Sequence, residues 1–283
     1  MSDGFRLGVF YTIIRPEEKW ILAAAEARGL TVERLSDADS TFGLDPPADR
    51  PSVVLNRSVS HTRAVYAAWC YDHYGIPTVN AAAVVELAGD KVRTSLRLAE
   101  RGVPTPRTVV ALSEEAALKA IEEIGYPAVL KPSVGSWGRL LAKVDNAEQA
   151  VQILEHKGAL GSPVHSVFYV QEFVPKPGRD LRALVVGDEV IGAMYRSSTE
   201  WRTNAARGGT VESAPVTESL RDLAMRAADA VGGGVLAVDL MESPRGLLVH
   251  EVNPTPEFKA LTSATGVDVA AKIVDYAVTV GRR

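Results

Sequence analysis

The sequence predicts a mixed α/β and α+β fold in three parts: an N-terminal Rossmann-like lobe, a small central subdomain and a C-terminal lobe. Three observations lead there. Apolar runs of strand length alternate with segments of helical spacing along the whole chain. At 283 residues the chain is longer than one typical domain and ample for a large core. Its composition, 46% hydrophobic with 23% charged, is that of a globular enzyme and not of a disordered or fibrous chain.

In the first lobe, RLGVFY (Arg6 to Tyr11) reads as a strand, Pro16 to Arg28 as a helix stopped by Gly29, and TVERL as a second strand. A polar, proline-containing stretch from Asp45 to Pro51 precedes a third strand, SVVLN. HTRAVYAAWCYDHYG then reads as a helix and IPTVN as a fourth strand ending near Asn80. Strand and helix alternating in this way predict a parallel sheet. Ala81 to Gly102 reads as one helix, stopped by Gly102, Pro104 and Pro106, that bridges the lobes. The divisions expected are 1–84, 85–170 and 171–283.

The central part alternates RTVVAL, the helix SEEAALKAIEEIG, PAVLKP, RLLAKV, the helix NAEQAVQILEH and VFYVQEFV. Beyond it, LRALVVG and EVIGAMYRSS form an expected hairpin, and SLRDLAMRAADAVG a helix stopped at Gly232 to Gly234. VLAVDLMES and LLVHEVN pair around Pro244 to Gly246, and Val267 to Val280 is the last helix.

The bulk numbers exclude several functions. With 31 basic and 35 acidic residues the net charge of −4 leaves no general footprint for nucleic acid or an acidic membrane. A single cysteine, Cys70, rules out an intrachain disulfide and fits a reducing compartment. With no apolar leader and no run of spanning length, the expected address is the cytoplasm. There is no GxxxxGK[ST] loop, HExxH or GxSxG, and His61, His73, His156, His165 and His250 are scattered, so hydrolase and zinc readings lack a basis.

Three clusters remain as candidates for chemistry. Lys131 closes an apolar strand and is followed by Gly135, Ser136, Trp137 and Gly138, small residues whose backbone N–H groups can approach phosphate oxygens. Taken alone, a lysine at a solvated strand end accounts for the segment equally well. Asp239, Glu251 and Asn253 interrupt apolar strands, and the alternation of strand side chains places Glu251 and Asn253 on one face. They offer hard oxygen ligands to a divalent ion, or else face water or a cation. Arg196, Arg202, Asn204 and Arg207, in YRSSTEWRTNAARGG, suit bidentate binding of oxyanions, or form a solvated loop.

Lys91, Lys131, the GSWG loop, Gln171 to Val174, Asp239, Glu251 and Asn253 occur in an order that resembles the ATP-grasp superfamily. The resemblance implies an ATP-grasp fold with a pre-ATP-grasp N-terminal lobe, and ATP with Mg²⁺ or Mn²⁺ as cofactors. It implies that Lys91 and Lys131 contact phosphates, that Gly135, Ser136, Trp137 and Gly138 form a lid, and that Gln171, Glu172, Phe173 and Val174 border the adenine. Asp180 joins the nucleotide-binding set, Asp239, Glu251 and Asn253 hold the metal, and Arg196, Arg202, Asn204 and Arg207 act in catalysis. RLGVFYTIIRPEEK, NRSVSHTR, PSVGSWGRLLA, WRTNAARGG and EVNPTPEFKALTSATGVD are similar to the LysX-type, RimK-related ligases of amino-group-carrier pathways.

That likeness spans nearly the whole chain. It implies a ligase joining the amino group of 2-aminoadipate, or a related amino acid, to the C-terminal glutamate of a small acidic LysW-like carrier protein. The setting would be lysine-type or specialised-metabolite biosynthesis, in a homo-oligomer of two or four copies. Carrier docking would need local cations such as Arg15, Lys19, Arg57 and Arg63, and substrate or carrier contacts fall to Arg57, His61, Arg63, Glu257 and Lys259. The chain departs from the family pattern at Pro254 and Pro256, which leaves the amino substrate open. The rivals are a RimK-like glutamate ligase acting on a protein or peptide C-terminus and a non-catalytic ATP-binding regulator.

Overall fold

The computed structural model describes residues 4–135, 140–159, 166–201, 203 and 209–283. Three sheets organise them. The first is parallel, in the order β2–β1–β3–β4, from β1 (Arg6–Tyr11), β2 (Thr31–Ser36), β3 (Val53–Arg57) and the short β4 (Thr78–Val79). Leu7, Val9, Val53 and Leu55 point to one face and Phe10 and Val54 to the other, as the two-residue period requires. The latter face is covered by α2 (His61–His73) through Ala67 and Tyr71.

The expected helix from Ala81 to Gly102 is two helices, α3 (Ala82–Ala88) and α4 (Lys91–Glu100). Asp90 breaks it: its carboxylate accepts from the Val92 and Arg93 N–H groups at 2.8 and 3.0 Å, capping α4 and placing Lys91 in its first turn. Gly89 makes the corner possible, because a Cβ there would overlap the imidazole of His61.

The second sheet is antiparallel, in the order β5–β8–β6–β7, from β5 (Thr108–Ala111), β6 (Ala128–Lys131), β7 (Ala142–Val144) and β8 (Phe168–Glu172). The helices α5 (Glu114–Ile124) and α6 (Ala147–Gly158) pack on it through Ala117, Ile121, Ala150 and Leu154, giving a core of its own.

The third sheet, β11–β10–β9–β12–β13, is antiparallel and built from β9 (Arg179–Val186), β10 (Glu189–Ser197), β11 (Thr210–Ala214), β12 (Val235–Ser243) and β13 (Gly246–Asn253). The two expected hairpins are present. Strand β11 was not anticipated because Thr210–Ala214 is polar and sits at the sheet edge, where burial leaves no apolar alternation. Helix α7 (Glu218–Val231) ends at Gly232, whose left-handed φ of 105° fulfils the expected stop.

Between β13 and the last helix, α9 (Val269–Gly281), lies a second unanticipated element, α8 (Lys259–Thr265). Ile273, Val274 and Ala277 of α9 share one core with Val53 and Leu55 of the first sheet and Leu184 and Ala237 of the third. The N-terminal lobe is thereby welded to the C-terminal one, each fully buried Leu, Ile or Val contributing about 1.5–3 kcal/mol. None of the described helices is long and apolar enough to cross a membrane.

Candidate active site

One cavity of about 660 Å³ opens where the three sheets meet, lined at one end by Lys91, Lys131, Gly135, Arg182 and Arg196 and at the other by Arg15, Glu17, Glu257 and Lys259. Strands β9, β10 and β13 of the third sheet line it through Arg182, Met194, Arg196, Glu251 and Asn253, and β12 lies beside β13. Register pairs Asp239 with Glu251 and Ala237 with Asn253, so Asp239 shares the face on which strand alternation places Glu251 and Asn253.

The pairing slips after Asp239, with Leu240 opposite Val249, and His250 is the extra residue of a bulge. The slip lets His250 join its neighbours: ligand atoms of Asp239, His250 and Glu251 lie within 4.8 Å of one another. Sequence reading set His250 aside as one of five scattered histidines. A bulge inside an apolar strand gives no signal in the residue pattern.

Asp239 is almost wholly buried and heavily paired. Arg182 donates to it twice, Nε to Oδ1 at 2.7 Å and Nη2 to Oδ2 at 2.8 Å, and Arg196 Nη2 lies 3.2 Å from Oδ2. Burial alone would raise its pKa, but the two guanidiniums hold it far below the usual carboxylate range. Burial likewise works to lower Arg196, and Asp239 with Asp180 keeps it raised and charged. Asp180 accepts from Arg196 Nε at 2.7 Å and from the Thr203 hydroxyl, while Lys176 Nζ reaches Thr203 Oγ1 at 2.6 Å. Arg182, Lys176 and Thr203 were not singled out in the sequence.

Lys131 closes β6 as expected, and its ammonium donates to Gln171 Oε1 at 2.6 Å and His250 Nδ1 at 3.1 Å. Full burial, with Lys91 and Lys176 nearby, outweighs Glu251 and lowers its pKa to about 8. Burial and Lys131 together push His250 well below its ordinary value, so its ring is the neutral acceptor this contact needs. Lys91 reaches the same place from the start of α4, its Nζ 3.2 Å from Glu251 Oε1 and 2.6 Å from the Gly135 carbonyl. Gly135 has a φ of 146°, open to glycine and strained for other residues.

Beside the cavity runs a narrow slot lined by Val129, Leu141, Phe173, Val174, Trp201 and Met241, sharing Lys131, Asp180 and His250 with it. The expected adenine segment therefore borders a small recess of mixed lining, although the Gln171 amide turns inward to Thr108 and Tyr169 and Glu172 accepts from Arg245. Ser136, Trp137, Gly138, Arg202, Asn204 and Arg207 lie outside the described residues.

Of the expected docking cations Lys19 and Arg63 are exposed, and Arg57 and Arg15 need correction. Arg57 is 2% exposed, its Nε bound to Glu18 Oε1 at 3.0 Å and its Nη1 to the Pro256 carbonyl, so burial removes it from any docking surface. Arg15 is occupied by Glu18 and Glu257 inside the cavity. Arg63 is exposed but spans to Asp37 at 3.0 Å. His61, Glu257 and Lys259 do line the cavity.

The donor set suits a hard divalent cation. A carboxylate has about four acceptor positions, and three donors on Asp239 leave room for one more ligand. Glu251 meets a single ammonium, and the buried Asn253 amide nitrogen, a donor with no partner among the described residues, leaves the carbonyl for a cation and itself suits an anionic acceptor. Around them five cationic side chains, Lys91, Lys131, Lys176, Arg182 and Arg196, face three carboxylates, Asp180, Asp239 and Glu251. An excess of buried positive charge beside hard oxygen ligands fits a metal-bound polyanion.

Clustered cations, a partly apolar slot and a hairpin bearing oxygen ligands are the groups that a site for a metal-bound polyanion requires. The RimK-like ATP-grasp domain matches residues 88–277 and the LysX pre-ATP-grasp domain residues 7–87, so the chain belongs to the RimK-like ATP-grasp family. It is similar to the glutamate–LysW ligase ArgX of Sulfurisphaera tokodaii, at 35% identity over 96% of this chain and 97% of that protein. It is also similar to the alpha-aminoadipate–LysW ligase LysX of the same organism, at 33% identity over 95% and 96%. Among solved structures, the RimK domain protein ATP-grasp from Sphaerobacter thermophilus matches with a TM-score of 0.82 and 30% identity, covering 96% of this chain and 99% of that one. The chain is an ATP-grasp ligase, of a class that joins a carboxylate to an amine with formation of ADP.

Proposed function

We propose that this enzyme joins the amino group of glutamate or 2-aminoadipate to the C-terminal glutamate side chain of a small acidic LysW-like carrier protein. The observation that carries the reading is the cavity itself. Its cationic end is built for phosphates beside a recess for a base, and its far end presents Arg15 and Lys259 next to Glu17 and Glu257, a mixed-charge lining suited to an amino acid. Relatives named for the two amino acids match almost equally well, which keeps both as substrates to be tested.

In this reading the base lies against Phe173 and Val174, and Lys91, Lys131 and Arg182 line the phosphates up. Asp239, Glu251 and Asn253 hold the divalent ion, which when bound would neutralise phosphate charge. The carrier carboxylate attacks the γ-phosphorus, the bond to the bridging oxygen breaks and ADP leaves. Arg196, fixed by Asp180, then faces the acyl-phosphate, which the neutral amine attacks; phosphate departs and one proton is released. Arg202, Asn204 and Arg207, outside the described residues, are assigned the same role as Arg196, and Ser136, Trp137 and Gly138, likewise outside them, the role of a lid.

The test is ADP release by the full chain supplied with ATP, Mg²⁺, a LysW-like carrier and either amino acid, with the Lys131→Ala variant as control. Steady-state ADP formation should require both carrier and amino acid, with at most one equivalent formed on carrier alone, and vanish in the variant. ADP release that ignores the carrier, or that proceeds with peptides bearing an unrelated C-terminus, would reject this assignment.

A further inference from the structure

The wall at the far end of the cavity is the segment that follows β13: Pro254, Thr255, Pro256, Glu257 and Lys259 all line it. Two prolines leave this stretch short of backbone donors, so it cannot tie itself into the sheet it has just left. Its position must come from another element. The hydrogen bonds show which one.

Asn80, just past β4 in the N-terminal lobe, is buried, and its amide makes three bonds to backbone. Oδ1 accepts from Val235 N at 2.6 Å, and Nδ2 donates to Val235 O at 2.8 Å and to Pro254 O at 2.7 Å. One carboxamide thus holds the start of β12 and the residue after Asn253 at a fixed separation. Gly234 has no Cβ where one would overlap that amide. Two residues on, Pro256 O accepts from Arg57 Nη1 at 3.0 Å, with Arg57 locked on Glu18 and set over the ring of the buried Phe258. Glu17 Oε1 then accepts from Lys259 N at 3.1 Å.

We infer that the N-terminal lobe is a template for the amino-acid end of the site, with Asn80 and Arg57 as positioning residues that act through the Pro254 and Pro256 carbonyls. The inference rests on the proposed function only for the identity of what occupies that end. Neither side chain lines the cavity. Both set the wall that the amino acid meets, while the nucleotide end is lined by side chains of α4, β6, β9 and β10 that neither residue touches. Disturbing them should loosen substrate selection and spare nucleotide binding.

Full-length Asn80→Asp and Arg57→Lys test this. Asp keeps the size and the acceptor of Asn but loses both donors; Lys keeps a cation for Glu18 but not the fork that also reaches Pro256. Hydrogen–deuterium exchange at Thr255, Glu257 and Lys259 should quicken about tenfold while the β6 and β8 amides stay protected. KM for the amino acid should rise about tenfold, with KM for ATP and ADP affinity within about twofold of wild type. Unchanged exchange in both variants, or an equal rise in both KM values, overturns the template. If Asn80→Asp does not fold, Arg57→Lys decides alone. If wild type shows no carrier-dependent ADP release, the functional assignment falls while exchange still decides the template.

Discussion

At the scale of single residues, the site is a set of charges whose states depend on one another. Lys131, with its pKa lowered to about 8, is largely uncharged in the free protein above that pH, whereas a phosphate stabilises the charged form. ADP binding in EDTA should therefore draw in a proton, and its affinity should weaken as pH rises beyond about 8. Calorimetry in two buffers of different ionisation enthalpy will show this as a buffer-dependent heat. Asp239→Ala would strand Arg182 and Arg196 in the interior and should cost about 3–5 kcal/mol of stability, readable as a lowered midpoint in urea. Asp239→Asn keeps the shape and is the safer probe of metal binding. Asp239, Glu251 and Lys131 stand out in the sequence because a charge in an apolar strand demands an explanation, whereas Lys91, at the start of a helix, is reached only through the family resemblance. Arg182, Lys176 and His250 do not stand out, since their meaning lies in cross-strand partners and a bulge. Arg57 misled for the opposite reason: its type suggests a surface, and its partner Glu18 buries it.

At the scale of elements, Gly89 and Asp90 carry information that a helical pattern conceals. Apolar spacing runs through Ala81 to Gly102, yet the cap at Asp90 and the ring of His61 against Gly89 turn the chain and aim Lys91 at Glu251. Gly89 has an ordinary φ, so its need is for space alone. Gly89→Ala should destabilise the protein by about 1–3 kcal/mol, and the double variant with His61→Ala should recover most of that. A double-mutant cycle in thermal unfolding measures the coupling, and additive losses would show that the ring and the corner are independent. The hairpins, the parallel lobe and the helix stop at Gly232 were legible because turn glycines and strand alternation are local. Strand β11 and helix α8 were not, because an edge strand and a two-turn helix are fixed mainly by their neighbours.

At the scale of the whole molecule, the order of motifs made the fold readable, and the joining of its lobes was not. Nothing in Val267 to Val280 says that it lies against strands from the other end of the chain. Helix α9 nevertheless covers the same face of the first sheet as α1 (Pro16–Ala27), in one core with Leu7 and Val9. A chain ending before Val269 should expose that face, bind the dye ANS and aggregate, and a monodisperse, cooperatively melting truncation would contradict the shared core. The arrangement also has a temporal side. During synthesis the opening strands leave the ribosome long before the helix that completes their shelter, so the early lobe must wait half-covered until Val269–Gly281 has emerged. Until then the bare face around Leu7 and Val9 is an apolar surface of the kind that holding chaperones shield.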